Sequence, residues 1–147
     1  MTVNLSTRAF VTALRVHQGI YERSHGLVGH RLLLMPTLLL RTTGRKSGLT
    51  RTNALVYGRD GADYLVCGSN GGHDLPPAWA LNMEANPEVE IQIGVRKNKA
   101  VARTLRPGDQ DYDRLFAICN RANRGQYAVY QKKTDRPLPV FVITPVA

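Results

Sequence analysis

Between Leu38 and Gly68, three extended segments follow one another, separated by turns. Leu38–Thr43 is predicted as a strand closed by a turn at Gly44. Thr52–Tyr57 and Asp63–Gly68 are a second and third, joined by the tight turn Arg59-Asp60-Gly61. Asp-Gly supplies the positive φ that a tight hairpin needs, whereas parallel neighbours require a long crossover. The pattern therefore forces antiparallel pairing. Val89–Gly94 alternates apolar and polar residues, and Lys99–Leu105 sets Ala100, Ala102 and Thr104 on one face against Val101, Arg103 and Leu105 on the other. Pro139–Thr144 is a final strand.

Helices are predicted around these strands. Ser6 to about Tyr21 spaces Phe10, Val11, Leu14 and Ile20 helically, with Ser6 as N-cap. Pro77, at a first helical position, opens a short helix through Trp79, Leu81 and Met83, which stops near Asn86 because Pro87 follows. Asp109 can cap a helix with the apolar stripe Tyr112, Leu115, Phe116 and Cys119, and Gly125–Lys133 is a last helical piece. Strands in consecutive runs specify an antiparallel α+β fold and not a doubly wound one.

A length of 147 residues predicts one domain, 1–147, with 1–30 as an N-terminal helical segment. Hydrophobic residues at 43% and charged residues at 21% exclude whole-chain disorder. The apolar stretch Leu32–Leu40, broken by Pro36 and Thr37, is about half of the roughly 20 residues that a membrane-spanning helix needs. Arg8 and Arg15 interrupt any signal-peptide core, and Cys67 and Cys119 make no disulfide framework. The expectation is a cytoplasmic domain.

The net charge of +9 is unevenly spread. Residues 1–59 hold nine Lys/Arg against the single Glu22. Residues 60–95 hold six acids and no Lys or Arg, and residues 96–147 hold eleven bases and four acids. Two basic blocks around an acidic one can meet as a positive face for nucleic acid, anionic lipid or a phosphorylated small molecule, or can be a scattered solvated surface.

The densest chemical signal is Thr42-Thr43-Gly44-Arg45-Lys46-Ser47-Gly48, followed by Thr50-Arg51-Thr52. Glycine lets backbone N–H groups approach an anion closely, and arginine offers a fork to phosphate or carboxylate. It is no Walker A loop, because Arg45 stands before Lys46 and a strand follows. A solvated basic turn is the plain alternative. A second signal, Gly68-Ser69-Asn70-Gly71-Gly72, leads to Pro76-Pro77-Ala78-Trp79; Trp79 is read first as a core anchor. Tyr127 and Tyr130, three apart, share a helix face with Arg124 and Lys132 nearby. The four histidines show no metal-ligand spacing, so no metal is expected, and no carboxylate pair or Ser-His-Asp set stands out.

In this order the pieces resemble the deazaflavin-dependent nitroreductase family, small proteins that use coenzyme F-420. The stretches that carry the resemblance are LLLRTTGRKSGLTRTNAL, YLVCGSNGGHDLPPAWALNMEANPEVEIQIG and QYAVYQKKTDRPLPVFVITP, spanning roughly residues 32–145. The resemblance implies an antiparallel split β-barrel with flanking helices, like that of flavin-binding oxidoreductases. It implies that Arg45, Lys46 and Arg51, in the turn with Thr43, Gly44 and Ser47, hold the coenzyme's phosphate and acidic oligoglutamate tail. Ser69, Asn70, Gly71 and Gly72 match the loop beside the ring and its ribityl chain, and Pro77, Ala78 and Trp79 match the cleft wall. Tyr127 and Tyr130 match the aromatics that close over ring and substrate. The chain departs from many relatives at Ala80, at Arg124 and at Asn70.

The expected reaction passes a hydride from reduced coenzyme F-420 to a quinone-like, nitro or other conjugated acceptor. Tyr127, Tyr130 and Ser69 are the candidate donors to the acceptor oxygen, and no protein nucleophile is needed. One alternative keeps the fold and places FMN, haem or a fatty acyl group in the same cleft. Another is a nucleic-acid-binding module, against which no aromatic interleaves the run Arg96-Lys97…Lys99…Arg103…Arg106. That run is read as an exposed sheet edge guarded by charge. The first helix is expected to pack on the barrel or against a second subunit as a homodimer, with peripheral contact to a quinone-bearing membrane as its other role.

Overall fold

In the computed structural model, which describes residues 35–146, the strands form one seven-stranded sheet. The elements are β1 (Thr37–Thr43), β2 (Thr50–Val56), β3 (Gly58–Asp60), β4 (Asp63–Cys67), α1 (Ala78–Ala85), β5 (Glu88–Ile93), β6 (Arg96–Leu105), α2 (Tyr112–Ala122), α3 (Gln126–Gln131) and β7 (Val140–Pro145). The helix predicted over Ser6–Tyr21, with its subunit and membrane contacts, lies outside the described residues. Among the described residues no helix is long and apolar enough to cross a membrane.

The strand order is β2-β1-β5-β6-β7-β4-β3, and every pairing is antiparallel; among the paired strands, short connections join only β1 to β2, β3 to β4 and β5 to β6. The two outermost strands, β2 and β3, are separated in the chain by Tyr57 alone, whose N–H donates to the Pro36 carbonyl at 3.1 Å. One stretch of backbone thus lies on both margins of the sheet and curls it into the expected split-barrel form.

The curl corrects the expected hairpin. Gly61 does take a positive φ, at 60°, in the turn closed by the Asp60–Asp63 pair. Only Gly58–Asp60 pairs with β4, however, and Thr50–Val56 folds back on β1 instead. Two helix starts also move. Pro77 is the N-cap of α1, one residue before the helix, and Asp111 is that of α2. Asp109 instead accepts the Arg106 N–H on its carboxylate at 2.8 Å.

Alternation along the strands builds two cores. Leu38, Leu40, Val66, Ile91, Phe141 and Ile143 point inward and meet Trp79, Ala80 and Met83 of α1. On the opposite face Leu65, Val140 and Val142 receive Tyr112, Leu115 and Cys119 of α2 and Tyr127 of α3. The basic run from Arg96 lies mainly on β6, between β5 and β7, so it is not a sheet edge. Its Lys99 stands opposite Glu90 of β5.

Burial in the second core pushes the Tyr112 phenol and the Cys119 thiol up to about 12, and raises Cys67 and Tyr127 as well. The folded state favours the neutral forms, while unfolded thiols and phenols ionise from their ordinary 9.0 and 10.0. Stability from these groups is therefore complete below about pH 9 and is lost as pH rises toward 12. Thermal unfolding followed by circular dichroism is expected to give a flat melting temperature from pH 7 to about 9 and a fall above it. A melting temperature that rises across that interval contradicts the assignment.

Candidate active site

The basic turn is built by its own backbone. Gly44 N–H donates to the Leu49 carbonyl and Gly48 N–H to the Gly44 carbonyl, each at 2.8 Å, while Ser47 Oγ accepts from Leu49 N–H at 3.1 Å. A Cβ on Gly44 would stand 2.5 Å from Ser47 Oγ and 3.2 Å from the Leu49 carbonyl oxygen, so a larger residue there would push the Ser47 side chain aside. Arg45, Lys46 and Arg51 stay exposed on this frame. Asn82 of α1, 4% exposed, accepts on its Oδ1 from both the N–H and Nη1 of Arg45, at 3.1 Å each. Sequence reasoning did not single out Asn82; its signal was an amide among the apolar residues of a short helix.

The turn lines a cavity of about 1100 Å³. Along with Gly44, Arg45, Lys46, Ser47 and Arg51, its walls include Ser69, Asn70 and Gly71 of the glycine loop, Pro77, Ala78 and Trp79 at the start of α1, and Tyr127 and Tyr130 of α3. Segments as far apart in the chain as Gly44 and Tyr130 thus meet around one space. Thr43 and Gly72 stand just behind the lining: Thr43 pairs with Thr50 at the end of β1, and Gly72 is buried against α3. Residues not anticipated complete the walls, among them Ala54 and Val56 of β2, Cys67, His73, Asn82 and Asn123. β2 contributes as a sheet margin, because alternate peptide groups of such a strand face away from its single neighbour.

Charge is what most distinguishes this cavity. Three cations line it and, among the described residues, no carboxylate does. Three of the six acids of residues 60–95 pair with arginines elsewhere: Asp60 with Arg114 at 2.9 Å, Glu84 with Arg106, and Glu90 with Arg41 at 3.9 Å. No ion pair reaches Lys46 or Arg51 among the described residues, and Arg45 meets a neutral amide. An anion with several charges fits this lining.

The same lining carries aromatic side chains. Trp79 packs edge-on to Phe141, with ring centroids 5.7 Å apart, so it anchors the inner core while bordering the cavity. The rings of Tyr127 and Tyr130 meet edge-on at 6.2 Å, and Lys133 Nζ lies 5.6 Å from the Tyr130 ring centre. Burial raises both phenols, which keeps them protonated and able to donate at neutral pH. Tyr112, outside the cavity, spends its hydroxyl on the Leu138 carbonyl at 2.6 Å. Among the described residues the Tyr127 and Tyr130 hydroxyls have no such partner.

Residues 13–145 match the sequence model of the F420H(2)-dependent quinone reductase family. The chain belongs to this family. An F420H(2)-dependent quinone reductase of Mycobacterium tuberculosis is 44% identical over 135 residues, which is 91% of each chain. A solved structure of an F420-H2 dependent reductase matches with a TM-score of 0.66 and 35% identity, covering 74% of this chain and 93% of that one. Another, described as a domain-swapped dimer, matches with a TM-score of 0.68 and 32% identity, covering 90% and 98%. Membership in the F420H(2)-dependent quinone reductase family makes the chain an oxidoreductase with coenzyme F-420 as its cofactor, and puts the deazaflavin ahead of the FMN, haem and fatty-acyl alternatives. The cavity fits that coenzyme: cations without a carboxylate suit an acidic tail, and aromatic side chains in the lining suit a planar ring.

Proposed function

We propose that the cavity takes the reduced coenzyme lengthwise and a quinone-like, nitro or other conjugated acceptor beside Tyr127 and Tyr130. The single observation that carries this reading is the composition of the lining, three cations without a carboxylate, together with two phenols. Reduced deazaflavin supplies two electrons as a hydride at low potential, so the chain needs no nucleophile of its own.

The residues then have distinct tasks. Arg45, Lys46 and Arg51 hold the phosphate and acidic tail, on a turn shaped by Thr43, Gly44 and Ser47. Ser69 and Asn70, with the backbone of Gly71 and Gly72, orient the ring and ribityl chain. Pro77, Ala78 and Trp79 form the wall that excludes water, which strengthens every polar contact inside. A protonated Tyr127 or Tyr130, or the Ser69 hydroxyl, donates to the oxygen of the acceptor on which negative charge develops. A homodimer belongs to the same reading, supported by the similar domain-swapped structure.

The test is anaerobic oxidation of the reduced coenzyme by a soluble quinone, followed through the absorbance of the oxidised form. Turnover is expected in wild-type protein, with a loss of about 100-fold in the Tyr127→Phe, Tyr130→Phe double variant, the magnitude of removing one preorganised donor. Coenzyme affinity is expected to change little. Wild-type protein that oxidises no coenzyme with any quinone contradicts the proposal.

A further inference from the structure

Arg136 lies in the segment before β7 and spends its whole guanidinium on the glycine loop. Nη1 donates to the Gly68 carbonyl at 3.1 Å, and Nη2 to the carbonyls of Ser69 and His73 at 3.1 and 3.0 Å. Nε adds a fourth bond, to the His73 carbonyl at 3.3 Å. Three carbonyls of one loop thus converge on a planar fork that lysine cannot reproduce.

Arg136 is itself held. Its N–H donates to Thr134 Oγ1 at 3.1 Å, and that hydroxyl donates to the Asp74 carboxylate at 2.7 Å. Gln131, at the end of α3, donates to the carbonyls of Thr134 and Arg136 and accepts the Leu138 N–H at 2.9 Å. One network therefore ties the loop to the helix that carries Tyr127 and Tyr130. Arg136 is not part of the cavity lining, although two of its carbonyl partners, Ser69 and His73, are.

We propose that Arg136 is a positioning residue, whose guanidinium fixes the spacing between the Ser69–Gly71 wall and the tyrosine wall and thereby sets coenzyme affinity. The inference rests on the reading that the coenzyme lies between those walls. The loop's own bonds, Gly72 N–H to Ser69 and His73 N–H to Asn70, report directly on the clamp.

Amide hydrogen exchange on the full chain without coenzyme is the first measurement. Arg136→Ala and Arg136→Lys are each expected to speed exchange at Gly72 and His73 by about tenfold or more, while β1, β5 and β6 keep wild-type rates. Titration with oxidised coenzyme, read by its fluorescence, is expected to weaken about tenfold in both variants. Millimolar guanidinium should restore affinity to Arg136→Ala and not to Arg136→Lys, whose side chain fills the space; a folding defect would show no such rescue. If Arg136→Ala does not fold, the lysine variant carries the comparison. Loop exchange equal to wild type overturns the inference, as does exchange that rises equally throughout the sheet. Wild-type protein that binds no coenzyme overturns the proposed function instead, and loop exchange still decides whether Arg136 holds the loop.

Discussion

Replacing Arg45 and Lys46 together with alanine is expected to weaken coenzyme binding by about 100-fold, since each charge-assisted bond to an anion contributes roughly 1.5–3 kcal/mol and exposure to solvent reduces that. Arg45 is the better organised of the two, because Asn82 fixes both its backbone and its guanidinium. Lys46 contributes as a mobile point charge. The effect should scale with the ligand: the loss is larger for coenzyme carrying a long glutamate tail than for a short one. It should also shrink as ionic strength rises from about 0.1 M to about 1 M, where the screening length falls from roughly 10 Å to roughly 3 Å. Isothermal titration across tail lengths and salt concentrations measures both trends. A loss independent of tail length would mean that these cations do not hold the tail.

Gly72→Ala is expected to lower the melting temperature by about 10 °C, from the sum of two costs. Gly72 has φ +84, a left-handed conformation that costs an L-residue roughly 1–2 kcal/mol. A Cβ there would lie 2.6 Å from the Tyr130 carbonyl oxygen, a backbone atom that cannot swing aside, which adds roughly 1–3 kcal/mol of overpacking. The neighbouring Gly71 provides the control. Its φ is +64, but a Cβ would meet nothing within 4 Å, so Gly71→Ala is expected to bear the conformational cost alone. Differential scanning calorimetry of the two variants makes the comparison. Equal melting temperatures would mean that the loop does not press on α3.

Local signals made much of this molecule legible. The Asp-Gly turn, the alternation in β5 and β6, the stripe of α2 and the cations beside Gly44 are all encoded within a few residues of one another. The division of one extended stretch into β2 and β3 was not, because it follows from closure of the sheet, a long-range event. The central position of β6 was equally hidden: an antiparallel strand with one solvated face carries exposed charge whether it lies at an edge or inside the sheet. Asn82 and Arg136 escaped notice for a related reason. Their partners are 37 and as many as 68 residues away, and nothing near them in sequence signals the contact. The net charge, by contrast, became specific only with the structure, which set Asp60, Glu84 and Glu90 of the middle block against arginines outside the turn and lined the cavity with cations and no carboxylate among the described residues.

The central claim, that this cavity receives the acidic deazaflavin coenzyme with its tail on the basic turn, is tested most directly by equilibrium titration of the protein with oxidised coenzyme at low and high salt. Micromolar or tighter binding is expected, weakening steeply with salt in wild-type protein and only slightly in the Arg45→Ala, Lys46→Ala variant. Absence of binding at micromolar protein, or binding with the same salt dependence in both proteins, would contradict it.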